Sequence, residues 1–301
     1  MHGAKDRELA KLAATQYECW TLRQALDCGF RRPAIRRRLE SEQWEEIAVR
    51  VYRLYQATRP SDRQLLRART LATGGVISGR SAGALYGWLP FPREPEITIE
   101  RSARRNTHVG VRITDSLPAK DVSVVDGIPV TAPARTLIDL AGVLSRHRFE
   151  DLLDQVLVSG IVRAKRLETR ARELQAARRP GCAVVLRVLA ERHPELTRAR
   201  NAWEAKVLRT IVRLRLPPPR VNYRVRVGGR TRYIDLAWPD RRIALELDGF
   251  VPHSNRRIFD DDRVRQNDLV AAGWTVYRVT WTAFSANPLA ALGPVVDTLT
   301  R

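Results

Sequence analysis

The chain has 301 residues, of which 44% are hydrophobic, and it carries 53 Lys and Arg against 33 Asp and Glu for a formal net charge of +20. That apolar content excludes a disordered chain, the length calls for two or three domains, and the charge points to a polyanionic partner, nucleic acid first. Three scattered cysteines make neither a metal-ligand spacing nor an even disulfide set, and no stretch approaches the roughly 20 apolar residues of a membrane span.

Residues 1–57 read as one small unit. Leu9, Leu12 and Ala13 lie at helical spacing in an opening segment that has acidic residues and lacks the apolar core of a signal peptide, so a reducing cytoplasm is the expected location. Thr21 can cap a short helix through Ala25 and Leu26 that ends near Gly29. Pro33 suits the first turn of a second helix with Ile35 and Leu39 inward. That second helix is basic, with Arg31, Arg32, Arg36, Arg37 and Arg38 in and around it. The alternation in WEEIAVRVYRL then reads as a strand pair. Helix, glycine turn, basic helix and β-wing make a winged helix-turn-helix arrangement, whose second helix enters a major groove and meets phosphates or guanine edges. The alternative is a helical adaptor with a solvated basic face.

Residues 58–200 alternate strands and helices. VISGRSAGALYGWLP is a strand end and a small-residue helix; PEITIERSARR and HVGVRITDSL are alternating strands; VDGIPVTAPARTLIDLAGVL is a turn, a strand and a helix capped near Thr131 or Ala132. Asp139, on an apolar helix, reads as a core hydrogen-bonding group. From Phe149 to Ala190 the apolar spacing is helical. No catalytic constellation stands out here. The stretches TLRQALDCGFRRPAIRRRLESEQWEEIAVRVYRL, VISGRSAGALYGWL and DGIPVTAPARTLIDLA resemble AbiEi-type antitoxins and transcriptional regulators. That resemblance implies an N-terminal winged helix, a following α/β domain, promoter DNA as partner, and a toxin partner or homodimer.

Residues 201–301 carry the chemistry. An amphipathic helix with Trp203, Val207, Ile211 and Leu214 in one stripe bears Glu204 beside it. NYRVRV and TRYIDLAW flank Gly228-Gly229, a hairpin signal. The next turn, Pro239 to Arg242, leads to RRIALELDG. Tyr233–Trp238 and Ile243–Asp248 both alternate, with Ile234, Leu236 and Trp238 on one face. If Trp238 pairs with Ile243, Asp235 lies opposite Glu246, with Asp248 a diagonal neighbour. Like charges so placed destabilise a sheet, so a cation, an arginine or a proton must compensate. Arg224, Arg232 and Arg242 are the arginines considered for that role. A helix through NRRIFDDDRVRQNDLVAAG and the strand WTVYRVTW close the chain.

That order resembles the PD-(D/E)XK nuclease superfamily, in the branch related to very-short-patch-repair endonucleases. The resemblance rests on Glu204, Asp235, Glu246, Asp248, Asp262, Arg265, Gln266 and the closing GWTVYRVTW. It implies a metal-dependent DNA endonuclease with an αβββαβ core. Asp235, Glu246 and Asp248 would be ligands for Mg²⁺ or Mn²⁺, oxygen donors suiting a hard cation. Glu204 would hold a metal-bound water, His253 would pass a proton, and Asp262 and Gln266 would brace the site. Arg265 and Arg278 would contact phosphate. Asp248 stands where the superfamily has a lysine, which leaves the general base unassigned; Lys206, two residues from Glu204, faces away from it on the helix. The expected fold class is multi-domain α/β: a winged helix (1–57), an AbiEi-like α/β and helical region (58–200) and a restriction-endonuclease-like domain (201–301). The alternative function is a DNA-binding regulator of AbiEi type whose nuclease-like domain is inactive.

Overall fold

The computed structural model describes residues 3–101, 111–175, 179–192, 196, 199–248 and 266–300. It is a mixed α/β protein of three sheets, and it divides into two compact units. The first comprises Met1–Arg146 with Ala164–Leu186, the second His147–Arg163 with Arg187–Arg301. The expected parts 1–57 and 58–200 therefore fall mostly within the first unit, while a stretch beginning at His147 belongs to the second.

The first unit opens with α1 (Ala4–Ala14), β1 (Trp20–Thr21), α2 (Leu22–Asp27), α3 (Arg32–Glu40), β2 (Trp44–Ala48) and β3 (Val51–Leu54), with sheet order β1-β3-β2. Thr21 and Gln24 cap α2 reciprocally: the Gln24 N–H donates to Thr21 Oγ1 and the Thr21 N–H to Gln24 Oε1 at 2.8 Å. Gly29 follows with φ +86°, and Pro33 occupies the first turn of α3. Ile35 is the buried face of α3, and Trp20, Phe30 and Trp44 meet edge-on, with ring centroids 4.9 and 5.2 Å apart.

The same unit continues with α4 (Asp62–Thr73), β4 (Val76–Ile77), α5 (Gly79–Leu85), β5 (Ile97–Glu100), β6 (Val111–Thr114), β7 (Val122–Val125), β8 (Ile128–Thr131), α6 (Pro133–Ala141), α8 (Ala164–Gln175) and the start of α9 (Pro180–Ala190). The sheet order is β6-β5-β4-β8-β7, parallel at β5/β6 and β4/β8. α6 begins after Ala132, as its sequence predicts. Its inner face is ionic as well as apolar. Arg135, fully buried, donates to Asp121 at 2.7 Å and to Asp139 at 3.2 Å. Arg170 on α8 donates to both oxygens of Asp121, and Arg179 reaches Asp139 and the Thr114 hydroxyl. Gly181 lets α9 lie against α6 backbone to backbone, since a Cβ there would stand 1.8 Å from the Ile138 carbonyl oxygen.

The second unit holds α7 (Arg146–Val158), α10 (Ala202–Arg213), β9 (Arg220–Val227), β10 (Arg230–Trp238), β11 (Ile243–Asp248), a helix α11 described over 266–271, β12 (Thr275–Thr280), α12 (Trp281–Ala286) and α13 (Pro288–Thr300). The sheet order is β12-β11-β10-β9, antiparallel except for the parallel pair β11/β12. Val207, Leu208 and Ile211 of α10 join Val221, Leu236, Trp238, Ile243 and Leu245 in one core. Ile234 does not join them, contrary to the alternation read from the sequence. It packs with Val227, Ala237, Leu269 and Trp274. The reason is local. Asn222, across from Asp235, sits at φ +51°, and the β9/β10 ladder passes from Ile234–Tyr223 to Leu236–Val221 without a pair at that step. On the far side of α10, Arg209 meets Asp154 at 3.2 Å and also Asp151 of α7, and Arg213 meets Glu150.

Candidate active site

Two local features of the sequence position the carboxylates, the turn between β10 and β11 and the cap of α10. Pro239–Arg241 form a 3-10 turn and Arg242 takes φ +52°, which sets the β10/β11 register. Trp238 pairs with Ile243, Ala237 with Ala244 and Leu236 with Leu245. The ladder ends at Leu236 with Leu245, and Asp235 and Glu246 are the next residues on the two strands; the Trp238–Ile243 pairing is the one on which the sequence reading rested. In place of a ladder bond, the Leu247 N–H donates to Asp235 Oδ2 at 2.9 Å. Asn201 caps α10 by accepting the Glu204 N–H at 2.9 Å, which fixes Glu204 in the first turn, where the helix dipole favours an acid.

Glu204, Asp235 and Glu246 are 2%, 9% and 7% exposed. Buried carboxylates need partners, and the structure supplies one the sequence reading missed. Arg200 donates through its backbone N–H to Glu204 Oε2 at 2.8 Å and through Nε to Oε1 at 3.2 Å, while its Nη2 reaches Asp235. Asn201 Nδ2 adds a further bond to Glu204 at 3.1 Å. The signal was present in RARNAWE: Arg200 stands four residues before Glu204, the spacing of a helical ion pair, just ahead of the cap.

Two of the hairpin's arginines are engaged away from the carboxylates. Arg232 bonds Asp268 at 2.7 Å, and Arg242 donates to the Ala272 carbonyl. Arg224 is exposed and opposes Tyr233 on the neighbouring strand. Arg278 lies beside Glu246 in the parallel register, and its guanidinium is 3.9 Å from Asp248. Lys206 points away from Glu204, 3.6 Å from Asp151 and over the Trp281 ring. Gln266 is half-buried in α11, while His253, Asp262 and Arg265 lie outside the described residues. Among the described residues, no three His, Cys, Asp or Glu side chains converge closely enough to hold a metal ion. The donor chemistry itself suits one: every candidate ligand is a carboxylate oxygen, and Asp235 spends one bond from each oxygen, leaving lone pairs for a hard cation.

In the first unit, Arg31, Arg32, Arg36 and Arg37 are exposed on and beside α3, with Arg36 bonded to Glu40 at 2.7 Å. Arg38 is turned inward: it pairs with Asp6 at 2.7 Å and its guanidinium lies 4.8 and 5.1 Å from the Phe30 and Trp44 ring centroids.

Comparison with known proteins finds two family matches along the chain. Residues 53–188 match the family described as AbiEi antitoxin C-terminal domain, and residues 203–299 match a restriction-endonuclease-like family, REase_MTES_1575. Two Mycobacterium tuberculosis proteins, "Uncharacterized protein MT2308" of strain CDC 1551 / Oshkosh and "Uncharacterized protein Rv2248" of strain ATCC 25618 / H37Rv, are each 30% identical over 235 residues, 76% of this chain and 83% of theirs. The "Crystal structure of RV2827C protein from Mycobacterium tuberculosis" is similar at 18% identity and a TM-score of 0.33, over 65% of this chain and 84% of that one. No helix among the described residues is long and apolar enough to cross a membrane. The chain therefore belongs to the family of these two mycobacterial proteins, and in this member an AbiEi antitoxin-like domain is followed by a restriction-endonuclease-like domain.

Proposed function

We propose that the chain is a DNA endonuclease that hydrolyses phosphodiester bonds with Mg²⁺ or Mn²⁺, and that its N-terminal elements are a winged helix that reads DNA. The observation that carries this reading is the burial of Glu204, Asp235 and Glu246, two of them joined through Arg200, within the domain similar to restriction endonucleases. On this reading the second unit is an αβββαβ core, formed by α10, β9, β10, β11, α11 and β12. Asp235, Glu246 and Asp248 hold the metal, and Glu204 orients water from α10. The metal, when bound, supplies positive charge to the scissile phosphate and lowers the pKa of a water. Leu247 fixes the rotamer of Asp235 through its N–H, and Arg278 brings a cation beside Glu246 for a phosphate oxygen. His253, Asp262, Gln266 and Arg265 complete the proposed set. The partner is DNA, the location the cytoplasm, and the AbiEi-like domain is the place for a toxin partner or a second copy.

The test is nicking of supercoiled plasmid by purified protein with Mn²⁺, comparing wild type with Asp235→Ala and Glu246→Ala. The expected result is nicking by wild type and background levels in both variants. Equal nicking by all three rejects the site.

A second reading has its own support. Arg200 already bonds two of the acids, and Asp248 replaces the lysine of the nuclease motif. A regulator with an inactive nuclease-like domain would bind a promoter in a salt-sensitive way, lose binding on neutralisation of Arg36 and Arg37, and be indifferent to Asp235→Ala.

A further inference from the structure

The β9–β10 hairpin has a composition that the carboxylate site does not require. Between Pro219 and Pro239 it holds five arginines, Arg220, Arg224, Arg226, Arg230 and Arg232, and a single acid, Asp235. One arginine is committed: Arg232 bonds Asp268 of α11. The other four are exposed.

Register arranges two of them into a strip. Tyr233 opposes Arg224 and Thr231 opposes Arg226. These four side chains alternate with Val225, Val227, Ile234 and Arg232, which turn toward the Leu269–Trp274 core and α11. The strip is thus the face of the hairpin turned away from that core. Its residues are exposed, Tyr233 by 50%, although an aromatic in a strand ordinarily finds cover. Along β10, Tyr233 is two residues and Thr231 four residues from Asp235, which is roughly 7 and 13 Å of extended chain. Those lengths match a few nucleotides of a strand leading from the carboxylates.

We propose that this strip, Arg224, Arg226 and Tyr233, is a second DNA contact surface, which holds the strand beside the cut with two phosphate contacts and one base stacked on the tyrosine. Guanidinium groups bind backbone phosphate without regard to sequence, and an exposed ring offers a sequence-tolerant platform to an unpaired base. The substrate class follows: DNA with a single-stranded tail or gap next to duplex. What the bound strand is for rests on the nuclease reading; the binding itself does not.

The experiment measures fluorescence anisotropy of two labelled DNAs, a blunt duplex and the same duplex with a single-stranded tail, in EDTA across a salt series. The full chain is used with Arg31, Arg32, Arg36 and Arg37 changed to Gln, which removes the α3 surface. In that background, Arg224→Gln/Arg226→Gln is expected to weaken both DNAs about tenfold and to reduce the slope of log affinity against log salt by about 1.4–1.8. Tyr233→Ala is expected to weaken the tailed DNA about tenfold and leave the blunt duplex unchanged. Arg163→Gln/Arg166→Gln, an equal loss of charge at exposed arginines elsewhere, should leave the slope as it was. An unchanged slope in the Arg224/Arg226 variant, or equal loss for both DNAs with Tyr233→Ala, overturns the proposal. Because no metal is present and no cleavage is read, failure here is distinct from failure of the nuclease reading, which the plasmid assay decides.

Discussion

Replacing Arg200 by Gln probes the charge balance of the carboxylate site. Arg200 donates one side-chain bond to Glu204 at 3.2 Å and one to Asp235, and its side chain is 56% exposed. Fully buried, two bonds to charged acceptors would contribute about 1.5–3 kcal/mol each. Solvent access to the guanidinium reduces that, and the Asn201 and Leu247 donors remain in the variant, so about 1–2 kcal/mol is expected in total. In EDTA that is a fall in melting temperature of about 3–8 °C for the second unit. On the metal reading the sign then reverses. Mn²⁺ has to displace a guanidinium in the wild type and has none to displace in Arg200→Gln, so calorimetry should give about tenfold tighter Mn²⁺ binding to the variant, the equivalent of roughly 1.4 kcal/mol. Mn²⁺ should also raise the melting temperature of the variant more than that of the wild type. Arg200→Gln as stable as wild type in EDTA, or binding Mn²⁺ no more tightly, would refute the idea that this arginine is the resident counter-charge.

Arg135→Ala in the first unit should lower the unfolding free energy by about 2–4 kcal/mol, since it empties a fully buried site and takes one of two arginine partners from both Asp121 and Asp139, leaving Arg170 and Arg179; a loss under about 1 kcal/mol in urea titrations would contradict this. Burial pushes the Asp121 carboxyl up, but hydrogen bonds and charge from Arg170 and Arg135 outweigh it and hold the group below its ordinary value. Its contribution is therefore complete above the unfolded carboxylate pKa of about 4 and is lost as pH falls through the lower folded value, so the urea midpoint should hold from pH 7 to 5 and decline on the acid side. Arg38→Gln should destabilise the N-terminal elements by about 1–2 kcal/mol through Asp6 and the Phe30 and Trp44 rings, whereas Arg36→Gln should change stability by less than about 0.5 kcal/mol and weaken DNA binding; equal stability loss in both would count against this division of labour. Burial raises the Cys19 thiol to about 11, so a thiol reagent at pH 8 should modify half-buried Cys28 first and reach Cys19 and Cys182 only on unfolding; rapid modification of two or more cysteines in the native protein would be the contrary result.

Much of this was legible because it rests on short-range rules. Thr21 and Gln24 form a capping box, Pro33 opens α3, and Pro239 to Arg242 set the Trp238–Ile243 register. Period-2 reasoning failed at Ile234, where Asn222 adopts φ +51° and breaks the ladder, a backbone event without a composition signal beyond an Asn in a strand. The compensating charge does not come from the hairpin. Arg200 comes from the turn before α10, brought in by tertiary packing rather than strand register. The ionic interior around Arg135 was invisible for the same reason. Asp121, Asp139, Arg170 and Arg179 are spread over nearly sixty residues, and only the first helical pair, Arg135 with Asp139, has a local spacing.

Helix α7 belongs to the second unit yet is followed in sequence by a segment of the first, so the chain passes between the two units three times. During synthesis, Glu150, Asp151 and Asp154 emerge well before Arg209 and Arg213, with α8 and α9 made in between. At about 5–20 residues per second, that is a wait of roughly 3–13 s. The helix that braces the restriction-endonuclease-like domain is thus made while its partner does not yet exist, and its acids wait for their arginines while α8 and the start of α9 are added to the first unit.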